Sequence, residues 1–426
     1  MQKIILTTLV SCAAAVASAD LRQDFAAKLF DRAALKRAAA AYAERNPSLF
    51  PDRDALLAEI DAAKTPAEID AVSHKVVFRL PEVAEIGEIL YVRRTAKNGL
   101  GLPANWNGNT STRLDGYSNA IARVTLDPAK RGDAGPRNVY ASRAFVGDID
   151  LDFDAKRIAF STKSPTTGGW CSAELPLDGS AALRELSPTD TPYVHYYNPM
   201  YLPNGEMIMI GTVGFQGVPC VSGSSNVGSL ILRHADGRCR RLTFDQDENW
   251  YPTLTEQGRV MFLRWEYADS AHYFSRLLMT MNPDGSDQKE FYGSNSYWPN
   301  SLFYARMVPG STTKFMGIVS GHHGVPRMGR LVLFDAAKAR NETAGAIQTI
   351  PGWGRPVENK TRDQLANVIC KNGQFFLHPW PLSDRGALVS MVDPRTENRW
   401  IIAYADVYDN LYPLVVDQRR ETKEER

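Results

Sequence analysis

The chain has 426 residues and a nearly even charge, with 49 Lys and Arg against 48 Asp and Glu. That balance excludes the basic footprint of a nucleic-acid-binding protein and the polybasic patch of a membrane-surface protein. Aromatic residues at 10%, with 31 Gly and 25 Pro, point to a turn-rich, packed β protein and away from disorder.

At the N-terminus, Lys3, the apolar run from Ile4 to Val16 and the small residues Ala17-Ser18-Ala19 form the pattern of a cleaved secretory leader over residues 1–19. Leu9-Val10-Ser11-Cys12 supports a second reading, a lipoprotein box that leaves Cys12 as a lipidated anchor. No other stretch is apolar over enough residues to span a bilayer. The expected location is therefore periplasmic or secreted, free or tethered by lipid. Four cysteines remain, Cys171, Cys220, Cys239 and Cys370, an even number in a compartment that permits disulfides. Three full pairings are open to them, and none belongs to a Cys-x-x-Cys pair.

Residues 20–80 read as helical. Phe25, Leu29, Phe30 and Leu35 give an amphipathic period up to the Asn46-Pro47 break, and a second helix should start after Asp52. Thr65-Pro66-Ala67-Glu68 has a cap residue, Pro at the first helical position and Glu three residues after the cap, so a third helix should begin there. Such a segment is either a cap packed on the main domain or an arm for a partner.

From Glu88 the period changes to two. Ile89 to Val92 reads as a strand, and a long polar loop through Trp106, Asn107 and Asn109 is expected to reach over one face of the domain. Then one pattern recurs about every fifty residues. Phe153 to Phe160, Tyr201 to Ile208, Leu254 to Met261 and Leu382 to Val389 each give an apolar residue, a tight polar turn and a strand. A second turn, Asp178-Gly179, Asp236-Gly237 and Asp284-Gly285, follows in three of the repeats. This is the length and grammar of a four-stranded blade. The expected fold is all-β, a β-propeller of about six blades over residues 85–416, with five or seven as alternatives, a small N-terminal helical segment and a charged tail over 417–426.

The strings FVGDIDLDFDAKRIAFS from Phe145, GVPCVSGSSNVGSL from Gly217, FDQDENWYP from Phe244, GRVMFLRWEYADSAHYFSRLL from Gly258, GSNSYWPNS from Gly293 and SGHHGVPRMGRLVLFD from Ser320 resemble the hydrazine synthase α-subunit middle-domain family. The blade repeat alone resembles TolB-like and WD40-like propellers more generally. The family resemblance implies a periplasmic propeller that in larger relatives is one part of a multi-domain protein. Hydrazine synthase works through haems attached at Cys-x-x-Cys-His, which this sequence lacks. Covalent haem and hydrazine synthesis therefore do not carry over, whereas the scaffold does.

Candidate site residues fall into three groups. Arg264, Glu266, Asp269, His272 and Arg276 crowd one loop, where a His beside carboxylates can serve as base or ligand and where an ion-pair network is the structural alternative. His322 and His323, between Gly321 and Gly324, are metal candidates with His272 or His378. His195, Tyr197, Trp250, Trp298 and His378 stand at similar places in successive blades, which suggests a ring of aromatics and histidines around the axis, with inter-blade packing as the alternative.

The expected function is a non-catalytic exported propeller that binds a small molecule or a protein at its axial face, with no cofactor. The alternative is a redox enzyme or subunit holding one transition metal or a non-covalent haem, or working with a haem-bearing partner protein.

Overall fold

The computed structural model describes residues 9–10, 18–94, 100–131, 135–265, 276–294, 296, 298–321, 326–357 and 374–416. Among the described residues five helices precede the strand at Glu88: α1 (Ser18–Leu29), α2 (Arg32–Arg45), α3 (Arg53–Ala62), α4 (Pro66–Val77) and the one-turn α5 (Pro81–Ala84). The apolar period read as one helix up to Asn46 is broken at Phe30, because the Asp31 side chain accepts the Ala34 N–H at 2.9 Å and starts α2 afresh. The Thr65–Glu68 capping box forms in full at the start of α4.

Six four-stranded sheets follow, as the repeat predicts. Blade 1 has Glu88–Arg94, Asp115–Thr125 and Arg137–Ala144, with the two-residue strand Leu9–Val10 in parallel beside Arg93 and Arg94. The other five blades are each contiguous in sequence and begin with an inner strand: Gly147–Leu151, Tyr196–Tyr201, Asn249–Leu254, Ser301–Met307 and Phe375–Ser383. Three of the outer hairpins use Gly179, Gly237 and Gly285, all at positive φ, as Asp-Gly turns require. In each, the Asp side chain accepts a backbone N–H two residues on, from Ser180, Arg238 and Ser286.

The helices are part of this structure and do not project from it. α1 and α4 pack on Leu411–Val415, the outer strand of blade 6. Tyr42 of α2 donates to buried Asp406 at 3.4 Å, and His74 of α4 reaches Asp127 of blade 1 at 2.8 Å. The reading of a cap packed on the propeller is the one observed.

Phe25 of α1 is fully buried in the core shared with blade 6. Phe25→Ala should cost about 3–5 kcal/mol in urea unfolding. A loss below about 1 kcal/mol would mean that the helices are an independent arm.

Candidate functional site

Each of the five complete inner strands carries a bulge at the same place, where the ladder shifts register between Gly147 and Asp150, Tyr197 and Met200, Trp250 and Thr253, Phe303 and Arg306, and Leu377 and Trp380. The bulged residues are Asp148, Asn198, Tyr251, Tyr304 and His378, and all five have φ between 48° and 55°. Asp, Asn and His tolerate this left-handed conformation better than most residues, whereas two tyrosines there are unusual. The extra residue re-aims the side chain, and here it builds a ring about the axis.

Hydrogen bonds run round that ring. Asn198 N–H donates to Ser161 Oγ at 2.7 Å, and Ser161 Oγ donates to Asp148 Oδ2 at 2.7 Å. Asn198 Oδ1 accepts the Tyr251 N–H at 3.1 Å, and Tyr251 Oη donates to Tyr304 Oη at 3.2 Å. The Tyr304 and His378 rings then meet at 3.9 Å between centroids. Burial, with the cations Arg94 and Arg306 nearby, holds His378 well below the ordinary imidazole range, so it is neutral at pH 7.

One side of the ring is plugged by residues 100–112 of blade 1, the loop expected to cross a face. Trp250 Nε1 donates to Asn107 O at 3.2 Å, Asn109 Nδ2 to Asp148 Oδ2 at 2.7 Å, Gly108 N to Ser225 Oγ at 3.2 Å, and Asn105 Nδ2 to Gly321 O. The plug thus touches four other blades. Fully buried Arg327 binds it through Asn107 O and through Asn109 Oδ1 at 3.2 Å, and donates to Tyr251 Oη at 2.7 Å. Gly108 allows this approach, since a Cβ there would lie 2.5 Å from Glu248 Oε1 and 2.8 Å from Tyr197 Oη. Between the plug and the ring lies a cavity of about 10 Å³, lined by Arg94, Asn109, Asp148 and His378 among others.

On the other side the axis is open. A cavity of about 430 Å³ has the ring as its floor, and Phe153 and Glu256 of the inner turns at its mouth. That size lies within the usual range for small-molecule sites. Two residues beyond each bulge, strand alternation turns a second set of side chains to the axis: Asp150, Met200, Thr253, Arg306 and Trp380 line the wall. The Arg306 guanidinium lies over the Trp380 ring, 4.0 Å from its centroid. Among the described residues, no group accepts a hydrogen bond from it and no carboxylate lies within ion-pair distance. Asp150 accepts the Tyr201 N–H at 2.7 Å, and burial pushes its carboxyl up to about 6.

Of the five residues anticipated as an axial ring, only His378 lies on the axis; in two other blades the residue after the anticipated one, Asn198 and Tyr251, takes the place. Tyr197 and Trp250 are their bulged neighbours' predecessors, are about 1% exposed, and pack into the core instead. A one-residue shift on a strand exchanges its faces. Trp298 is also core, against Phe334, and His195 lies between blades 2 and 3, where its Nδ1 accepts the Trp170 N–H at 3.3 Å. Arg264 pairs with Asp245 at 3.4 Å, and buried Arg276 stacks on Trp265 at 4.9 Å, so both hold structure at the rim of blade 4. Glu266, His272, His322 and His323 lie outside the described residues, as do Cys12, Cys370 and the 417–426 tail. Cys171 and Cys239 are free thiols, so neither joins the anticipated disulfide. Among the described residues no group of three or more His, Cys, Asp or Glu could hold a metal ion, and no helix is long and apolar enough to cross a membrane.

Sequence reasoning missed Asp148, Asn198, Tyr304, Asp150 and Arg306. A signal was present: Pro199, Pro252 and Pro379 each follow a bulged residue, and proline inside a strand marks an interrupted ladder.

Among solved structures, hydrazine synthase from Kuenenia stuttgartiensis matches with a TM-score of 0.53 and 15% identity over 79% of this chain. The likeness is one of fold. The chain spans about half, 48%, of the length of that hydrazine synthase chain. TolB from Acinetobacter baumannii gives a TM-score of 0.42 at 12% identity, covering 82% of this chain and 72% of that one. A putative TolB from Agrobacterium tumefaciens gives 0.37 at 17%, covering 58% and 79%. No family model matches the chain, and no curated protein matches it. The resemblance seen in the sequence thus stands at the level of the propeller.

Beneath the plug, burial pushes the Glu248 carboxyl up to about 8 from an ordinary 4.5. A raised carboxyl means that the folded protein holds the proton more tightly than the unfolded chain. Its contribution to stability is complete below about pH 4.5 and is lost as pH rises through about 8. Between about pH 5 and pH 9, wild type should lose a few kcal/mol more stability than Glu248→Gln in denaturant melts. Parallel losses would place the proton elsewhere.

Proposed function

We propose that this protein is an exported, non-catalytic β-propeller that binds a small ligand in its axial cavity. The observation that carries the reading is the asymmetry of the axis: one side is sealed by a plug bonded to four blades, while the other opens into a chamber of ligand size in which the Arg306 guanidinium has no hydrogen-bond or ion-pair partner among the described residues. A guanidinium left without a partner in a chamber of ligand size fits recognition better than support of the fold.

A binding role is favoured over chemistry by the surroundings of His378. It makes no hydrogen bond to a carboxylate, serine or cysteine among the described residues, so no described side chain orients it as a general base. The leader pattern over 1–19 supports export to the periplasm or beyond, and its cleavage would leave blade 1 with the three strands Glu88–Arg94, Asp115–Thr125 and Arg137–Ala144. The fold shared with hydrazine synthase supports a scaffold role and carries no activity here.

The test is a thermal-shift screen of small metabolites on wild type and on Trp380→Ala, with mass spectrometry of each hit after incubation. The reading expects hits that raise Tm by at least about 2 °C, are recovered unchanged and are lost in the variant. Hits that bind the variant equally well, or that are consumed by the protein, would contradict it.

A further inference from the structure

The cavity wall carries two opposite charges that do not meet. Arg306 comes from blade 5 and Asp150 from blade 2, on opposite sides of a six-bladed ring. No ion pair joins them. Both side chains line the same chamber, where charges interact more strongly than in open water. Trp380 supports the flat face of the guanidinium, which leaves its N–H edge for a planar acceptor.

The chemistry of a fitting ligand follows from this pair. A simple carboxylate would satisfy Arg306 but bring its charge into the field of Asp150. A simple amine would do the reverse. A molecule with both groups would neutralise both side chains and leave no net charge buried. The rest of the chamber, with Tyr251, Tyr304 and His378 on the floor and Met200 and Leu254 on the wall, offers an apolar and aromatic surface for the body of such a molecule. Resting on the axial cavity being the binding site, we infer that its ligand is a small zwitterion, an α-amino acid with an apolar side chain, held by its carboxylate on Arg306 and its ammonium on Asp150.

The charged groups that face this pair are few. Asp148 lies in the ring below with Arg94 behind it, and Glu256 stands at the mouth. Arg94 is occupied by Val146 O at 2.6 Å and Leu100 O at 2.6 Å, and Asp148 accepts from Ser161 and Asn109. Within the chamber Arg306 and Asp150 are therefore the charges that face a ligand, with Glu256 a further carboxylate at the mouth.

The experiment is isothermal titration of the full exported chain with each of the twenty amino acids. For any that binds, the matched acid without the amine and the matched amine without the acid are titrated too, for instance L-phenylalanine, 3-phenylpropanoate and phenethylamine. The inference expects at least one apolar amino acid to bind, and each half-ligand to bind at least tenfold more weakly. It also expects Arg306→Met and Asp150→Asn each to weaken the amino acid at least tenfold, with unchanged circular dichroism and Tm within a few degrees. If the acid alone binds as well as the amino acid, is lost in Arg306→Met and is indifferent to Asp150→Asn, the zwitterion is overturned while the axial site stands. If no amino acid and no half-ligand binds, the inference is overturned. The Trp380→Ala screen then decides separately whether the cavity is a site at all.

Discussion

One backbone constraint underlies the rest: an extra residue in the left-handed region, placed at the same point of five inner strands. Each such residue costs of the order of 1–3 kcal/mol relative to regular strand. The second strand of each blade holds it, because the ladder between the two strands resumes on the far side of the break. The consequence is geometric. Without the bulge, the residues at the break would alternate into the inter-blade core; with it, Asp148, Asn198, Tyr251, Tyr304 and His378 face a common axis and bond to one another across blade boundaries.

The second feature is the difference between the two ends of that axis. Blade 1 lacks a bulged inner strand of its own among the described residues, and the loop between its Glu88–Arg94 and Asp115–Thr125 strands turns inward to form the plug. Under this roof Arg94 donates to the Leu100 carbonyl, Arg327 donates to Tyr251, Asp148 accepts from Ser161 and Asn109, and Glu248 accepts the Gly228 N–H. Buried charges satisfied in this way are costly to disturb. On the opposite side the guanidinium of Arg306 has only an aromatic ring beneath it, and this contrast is what marks one end as support and the other as surface for recognition.

How much of this was legible follows from what repeats. The propeller was legible because Asp-Gly turns and the apolar-turn-strand unit recur with a fixed period, and each has its own local cause. The helix ends were legible where a side chain caps them, as at Thr65, and missed at Asp31, where an amphipathic period runs straight through the cap. Little of the axial ring was legible. His378 was found, but the pairs Tyr196-Tyr197 and Trp250-Tyr251 place an aromatic on either face, so alternation cannot say which one looks inward without the bulge. Arg306 was invisible for a different reason. An arginine in a strand reads as an exposed residue, and only the closed ring of blades turns its solvent side into a chamber.

The central claim is that the open end of the axis presents a guanidinium that the protein leaves unpaired. The most direct measurement is anomalous diffraction from crystals soaked in bromide, an anion small enough to enter the chamber. The account predicts a peak within hydrogen-bonding reach of Arg306, above the Trp380 ring. Bromide found at surface sites with none in the chamber would contradict it.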